Sequence, residues 1–269
     1  DYIEVSPNAV VRKKLNRIGL TQIGDISWPE HYGIETIPVR VAVQYEVPLI
    51  VWGENSQHEY GGPAAGSDSN TNSMSWLMQF AMFSGLRVSD VIGHEGITEK
   101  DMILYKYPSD DDLKRVGVTG IFLGQYLPWD GYSNALLAQA YGFTTFHTTV
   151  EGSIVNYENI DNHQTGIHDY FKFLKFGFGR ATDISCLHLR RERLSRQDAL
   201  ELVRIHDGKF PWTCLGKPLK EILDPLEITV DEFIDICDRF TNKKLFLTDG
   251  KGRLIKDKNE NLTKTNYDN

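Results

Sequence analysis

The chain is poor in cysteine. Cys186, Cys214 and Cys237 are the three among 269 residues, an odd number with no Cys-x-x-Cys spacing. That excludes a disulfide framework and gives no zinc site by itself, so the three read as reduced core thiols of a cytoplasmic protein. Long apolar runs are missing too. Nothing approaches the ~18 residues of a membrane span, and the N-terminus lacks the basic-then-apolar pattern of a secretion signal. Positive charge is in deficit: 29 Lys and Arg stand against 37 Asp and Glu, a formal charge of -8 with a sequence pI near 5.5. This excludes broad non-specific nucleic-acid binding and confines any polyanion site to a local cluster. No Walker or Rossmann glycine loop follows a strand, and there is no Gly-x-Ser-x-Gly elbow. Internal repeats and heptad runs are absent as well. The 8 His are scattered without ligand spacing, so no metal site is assigned and residues such as His31 or His147 read as surface or core.

What is present is enough apolar content, 41%, for a core of ordinary size in one large domain or two small ones. Asp-Tyr-Ile-Glu-Val-Ser-Pro at the start reads as a short strand running into a helix cap, as if the chain were cut inside an α/β unit. Ser6 before Pro7 marks a helix start, Val10, Val11, Leu15 and Ile18 keep helical spacing, and Gly19 is expected to end it. A helical stretch over 34–45 leads through Pro48 into Leu49-Ile-Val-Trp52, an apolar β-branched run typical of a buried parallel strand. Another such strand, 120–123, follows a helix over 109–116 whose acidic first turn suits the helix dipole. A Gly-, Ser- and Asn-rich stretch over 61–72 and short helical pieces around 76–83 and 98–102 lie between. After Gly131 helices dominate, at about 132–141, 164–177, 181–191, 196–206, 217–223 and 230–240, the last with Thr229 and Glu232 as a capping box. The expectation is an α/β chain, with a parallel-sheet part over 1–130, a mainly helical domain over 131–242, and a tail over 243–269 that is a weak hairpin or disordered.

Three stretches could carry chemistry. In a helix over 164–177, Ile167, Tyr170, Phe171, Leu174 and, beyond it, Phe178 form a broad apolar face, while His168, Asp169, Lys172 and Lys175 fall in a strip roughly 120° wide. Gly177 and Gly179 stop that helix, so Arg180 begins a new segment near the same strip, gathering three cations around one carboxylate. The bland alternative is a solvated face. In an open parallel sheet ligands bind beyond the carboxyl ends of the strands. There Glu54 and Asn55 would emerge and Gly61 and Gly62 could offer backbone N–H groups to a phosphate, with residues 124–132 at the second strand end. These two loops are expected to line one cleft. Residues 150–166 bring many amides and carboxylates, suited to a hydroxyl-rich ligand, although loop solubility alone accounts for some of them.

The segments WGENSQHEYGG, YPSDDDLKRVGVTGIFLGQYLPWDGY, VEGSIVNYENIDNHQTGIHDYFKFLKFGFGRATD and DGKFPWTCLGKPLKEIL resemble the bacterial N-acetyl sugar amidotransferases, from residue 1 to about Phe246. The resemblance implies the C-terminal part of an adenine-nucleotide domain of the PP-loop ATP-pyrophosphatase group over 1–130, followed by a helical substrate-binding domain. It also implies ATP with Mg2+, and a reaction that turns the acetamido group of a nucleotide-linked sugar into an acetamidino group for lipopolysaccharide O-antigen or related glycans. Ammonia would come from glutaminase and cyclase-like partners. No nucleic acid and no membrane span are expected, and a homodimer is compatible. The family's Cys pairs, which look like a zinc site, and its Ser-Gly-Gly-x-Asp-Ser loop are not in this sequence, so zinc would enter only through an N-terminal segment and this chain alone is expected to be inactive.

On that resemblance Lys172, Lys175 and Arg180 would face pyrophosphate or the sugar-linked diphosphate. Glu54, Asn55, Gly61 and Gly62 would border the nucleotide. Tyr60, Trp129, Asp130, Tyr132, Asn156, Tyr157, Asn159, Asn162, His168, Asp169 and Asp183 would contact the substrate. One rival is a non-catalytic sugar-nucleotide or partner-binding module on a degenerate fold. Another is a tRNA-modifying ATP-pyrophosphatase, which the acidic charge disfavours.

Overall fold

The computed structural model describes residues 1–53, 85–127 and 129–265, and the chain divides into two compact units, Asp1–Asp130 and Gly131–Asn269. Glu54, Asn55, Tyr60, Gly61 and Gly62, with the helical piece expected at 76–83, lie outside the described residues.

The first unit begins without the expected strand: residues 1–8 form no ladder. Helix α1 (Ala9–Ile23) is capped by Asn8 rather than Ser6, and the Asn8 side-chain oxygen accepts from the Val10 and Val11 N–H groups. Gly19 does not end it. A Cβ there would lie 2.3 Å from the Asp25 carbonyl oxygen, so glycine lets the chain after α1 fold back against the helix. The true stop is Gly24, left-handed at φ 63°, where a β-carbon is costly. Helix α2 (Trp28–Gln44) starts earlier than the sequence suggests, with Pro29 in its first turn. Buried Asn16 pins the α1–α2 corner, donating to the Ile26 carbonyl at 2.7 Å and to Glu30 Oε2 at 2.9 Å.

Strand β1 (Leu49–Trp52), helix α3 (Val88–Val91), helix α4 (Asp110–Val116) and strand β2 (Thr119–Phe122) follow among the described residues of the unit. A 3-10 turn, Ile103–Tyr105, takes the place of the helical piece expected at 98–102. Ser109 caps α4, whose first turn holds Asp110, Asp111 and Asp112, and Gly117 ends it. The strands pair in parallel with Leu49 opposite Thr119 and Trp52 opposite Phe122. The core joins Leu15, Trp28, Val39, Val91, Met102 and Tyr105.

In the second unit helix α5 (Gly131–Ala140) precedes α6 (Thr165–Phe176), α7 (Arg180–Arg190) and α8 (Arg196–His206). A two-residue-per-strand hairpin follows, β3 (Thr213–Cys214) with β4 (Lys217–Pro218), then α9 (Leu219–Leu223) and α10 (Val230–Phe240). Helix α6 is the centre. Ile167, Tyr170, Phe171, Phe173 and Leu174 are buried on it, and Phe171 meets Phe233 and Phe240 edge-on at 6.0 Å each. Such tilted pairs favour the ring quadrupoles beyond simple area burial. The expected capping box is in place on α10, Thr229 and Glu232 each accepting from the other's backbone N–H.

The segment after Lys243 packs against this core. Phe246 is buried beside Phe173 at 5.3 Å, and antiparallel bridges join Phe246 to Lys264, Thr248 to Leu254 and Lys256 to Leu262. Lys256 bridges Asp238 at 2.5 Å and Glu260 at 3.1 Å, tying the segment to α10.

Candidate functional site

Gly177 closes α6 in the left-handed conformation at φ 77°, and extended Gly179 caps α7. The intervening Phe178 lies past the helix end, not on its apolar face. This three-residue reversal sets α6 beside α7. Here the expected cluster of three cations around one carboxylate does not form. Instead two pairs link the helices. Arg180 clamps Asp169 through Nε–Oδ2 at 3.1 Å and Nη2–Oδ1 at 3.2 Å, with side chains only 10% and 14% exposed. Lys172 pairs with Asp183 and lies over the Phe178 ring at 4.7 Å. Lys175 turns elsewhere, over the Phe240 ring at 5.7 Å.

Desolvation raises the Asp183 carboxyl above its ordinary value, against the opposing pull of Lys172 and Arg180. Asn159, at φ 55°, completes the clamp: with its amide turned so that the oxygen faces the guanidinium donors, as these neighbours require, that oxygen accepts from Arg180 Nη2 at 2.9 Å and Nε at 3.1 Å. Thus Arg180, Asp169 and Asn159 come together, as do Lys172 and Asp183.

Beside the clamp a cleft of about 220 Å³ opens, lined by residues between Glu151 and Cys214. Asp169 and Arg180 are on its wall, with Glu151 from the carboxylate-rich stretch over 150–166, and with His206, Asp207, Lys209 and Trp212, to which the sequence assigns no role. Asp207, Glu151 and Trp212 each have a structural anchor. Asp207 Oδ2 accepts from the Gly179 N–H at 2.9 Å and from Thr182 Oγ1 at 2.6 Å, so a carboxylate sits at the positive end of the α7 dipole. Its Oδ1 is enclosed and has no hydrogen-bond partner among the described residues. A Cβ at Gly179 would lie 2.8 Å from that oxygen.

Glu151 holds the β3–β4 turn. Both turn residues have positive φ, Leu215 at 51° and Gly216 at 72°, as the two-residue I′ hairpin demands. Glu151 accepts from the Leu215 N–H at 2.9 Å, the Gly216 N–H at 3.0 Å and Thr213 Oγ1 at 3.0 Å. Burial works to raise its pKa, but these donors outweigh burial and hold it below the ordinary value. Burial and Lys209 together push His206 down, so its ring is neutral at pH 7. Trp212 stacks obliquely on buried Phe210 at 4.7 Å and donates its indole N–H to the Asn259 carbonyl at 3.1 Å. The ring is thereby fixed while 44% of the residue stays exposed.

The other expected residues lie apart. Tyr132 and Tyr157 stand 6.4 Å apart, with Tyr157 Oη 3.4 Å from His188 Nε2 and Arg193 over the Tyr132 ring at 4.8 Å. Asn156 braces its own loop, donating to the Phe146 carbonyl at 3.0 Å. Asn162 Oδ1 accepts from the Gln164 N–H at 2.9 Å ahead of α6, and His168 is half-buried on α6.

Trp129 and Asp130 belong to the first unit, both half-buried. The Trp129 ring packs at the carboxyl ends of both strands: a Cβ at Gly53 would lie 3.7 Å from its Cη2, and one at Gly124 3.2 Å from its Cβ. The cleft expected between residues 52–62 and 124–132 therefore has its two strand ends side by side, but Glu54, Asn55, Tyr60, Gly61 and Gly62 are outside the described residues.

The signal that could have exposed the cleft is Asp207-Gly-Lys-Phe-Pro-Trp212. Gly208 has φ 69°, and a Cβ there would meet Phe173 Cζ at 2.1 Å, so the segment needs glycine for conformation and for space. An aromatic and two charged residues next to such a glycine mark a built loop.

No helix among the described residues is long and apolar enough to cross a membrane. No curated protein matches the chain. Residues 142–258 match the family model described as LPS biosynthesis protein WbpG-like, C-terminal domain, and the whole wall of the cleft falls inside that stretch. At the coarse level the similarity points to a biosynthetic enzyme of lipopolysaccharide assembly.

Proposed function

We propose that the chain is part of an ATP-dependent amidotransferase that converts the acetamido group of a nucleotide-linked sugar to an acetamidino group, with the second unit handling the sugar substrate. The observation that carries this reading is the coincidence of the cleft with the stretch similar to a lipopolysaccharide biosynthesis domain. The motifs shared with N-acetyl sugar amidotransferases supply the reaction.

An amide oxygen is a poor leaving group. ATP, when bound with Mg2+, supplies the adenylyl group that lets this oxygen depart on AMP while ammonia takes its place and pyrophosphate is released. A nucleotide would sit beyond the carboxyl ends of β1 and β2, where the Trp129 side chain packs against Gly53 and Gly124. In the second unit Asp169 and Asn159 hold the Arg180 guanidinium in one orientation at the cleft wall. The neutral His206 ring can accept or donate one hydrogen bond without adding charge. Ammonia would be delivered by glutaminase and cyclase-like partners.

The test is to incubate the full-length gene product with a nucleotide-linked N-acetyl sugar, ATP, Mg2+ and ammonium chloride, following pyrophosphate and the sugar's mass. The reading expects sugar-dependent pyrophosphate release and exchange of one oxygen for one NH. Pyrophosphate release indifferent to the sugar would refute it.

A further inference from the structure

We infer that the cleft of the second unit takes the neutral sugar ring, stacked on Trp212, and excludes the phosphate groups of the substrate. This rests on the reading above for the identity of the ligand, but the site itself is argued from its walls. Three carboxylates line it, Glu151, Asp169 and Asp207, against two cations, Arg180 and Lys209. Neutral His206 adds nothing to the positive side. A site built for a diphosphate would carry an excess of cations, since each unit of negative charge must be met to offset its desolvation. Here the balance is negative, and Arg180 already forms a two-bond clamp with Asp169.

The same walls suit a polyhydroxylated ring. Ionised carboxylates are acceptor-only groups, matched by hydroxyl and amide donors. Trp212 contributes an apolar face fixed on both sides: its N–H is tied to the Asn259 carbonyl and its ring rests on Phe210. Phe210 in turn packs edge-on against Tyr170 at 5.5 Å and Phe233 at 5.9 Å, so the platform is continuous with the core. An exposed aromatic face immobilised next to acceptors is the arrangement that receives a ring with C–H groups on one face and hydroxyls at its rim. The cationic contact to phosphate then has to come from elsewhere in the protein.

Saturation-transfer NMR with a free N-acetylhexosamine tests this without ATP or partners. We expect the sugar to receive saturation, and an excess of inorganic pyrophosphate or AMP to leave the signal unchanged. Trp212→Ala should weaken binding at least tenfold, and Trp212→Phe, which retains a ring, should restore most of it, separating lost stacking from a damaged fold. No transfer to the free sugar, displacement by pyrophosphate or AMP, or full affinity in Trp212→Ala would each overturn the inference. The amidine assay is independent: sugar bound in the cleft without amidine formation leaves this inference standing and sinks the reaction. Amidine formed with unchanged KM in Trp212→Ala does the reverse.

Discussion

Removing Asp169 separates a working clamp from a solvated charge. In Asp169→Ala the Arg180 guanidinium, 10% exposed, loses both carboxylate bonds and stays in a wall too closed to rehydrate it fully. Breaking a buried pair by deleting one partner costs about 3–5 kcal/mol. The Asn159 oxygen still accepts from Nη2 and Nε, which places the expected cost near the lower end, about 3 kcal/mol. Replacing both charges, Asp169→Leu with Arg180→Met, should return the protein to within about 1 kcal/mol of wild type, because the isolated charge and not the lost attraction dominates. The assay must report on the second unit alone. Trp212 is the single tryptophan after residue 131, so urea titration of protein labelled with 5-fluorotryptophan, read at that 19F resonance, isolates its unfolding. A loss under about 1 kcal/mol in Asp169→Ala, the level of an exposed surface pair, would refute the clamp.

Gly208→Ala should destabilise the second unit by about 1–3 kcal/mol through overpacking alone, since its Cβ would enter the Phe173 ring at positive φ; thermal melts check this, and an unchanged midpoint would contradict the geometry. Glu35 is pushed up to about 7 from 4.5 by burial, so the folded state holds that proton more tightly than the unfolded chain. Its stabilising effect is full below about 4.5 and is lost as pH rises to about 7, on the order of 3 kcal/mol; hydrogen exchange of α2 should follow this slope, and Glu35→Gln should flatten it. Among thiols, exposed Cys186 should react with iodoacetamide in the native protein. Cys214, raised to about 12 by burial, and Cys237, also raised well above its ordinary value by burial, should wait for unfolding; mass spectrometry of native and denatured samples reads the difference.

Elements with a local cause were legible in the sequence. The helix Arg196–His206, the capping box at Thr229 and Glu232, and the Gly177 stop each depend on a few neighbouring residues. Misreadings fell where a distant residue decides. Gly19 looks like a terminator because a helix interior disfavours glycine, yet it is there for the approach of the Asp25 carbonyl. The cleft was hidden for a similar reason. Glu151 acts on residues 62 to 65 positions away, and Asp207 caps a helix whose N-cap residue, Gly179, lies 28 positions before it; neither spacing leaves a periodic trace.

The narrow polar strip on α6 illustrates how one pattern can serve packing between helices as well as a binding site. Asp169 and Lys172 sit one turn apart on α6, and Arg180 and Asp183 one turn apart on α7. Both bonds between the helices span 11 positions. The four charges therefore alternate in sign around a square, negative facing positive in each row. Each of these two bonds ties α7 to α6 through side chains. Of the strip, Asp169 and Lys172 reach α7, while Lys175 lies over the Phe240 ring. The same economy explains why the cleft next to it is left with a surplus of acid: two of the strip's cations are spent on holding the helices, and the carboxylates that cap α7 and the β3–β4 turn remain on the wall.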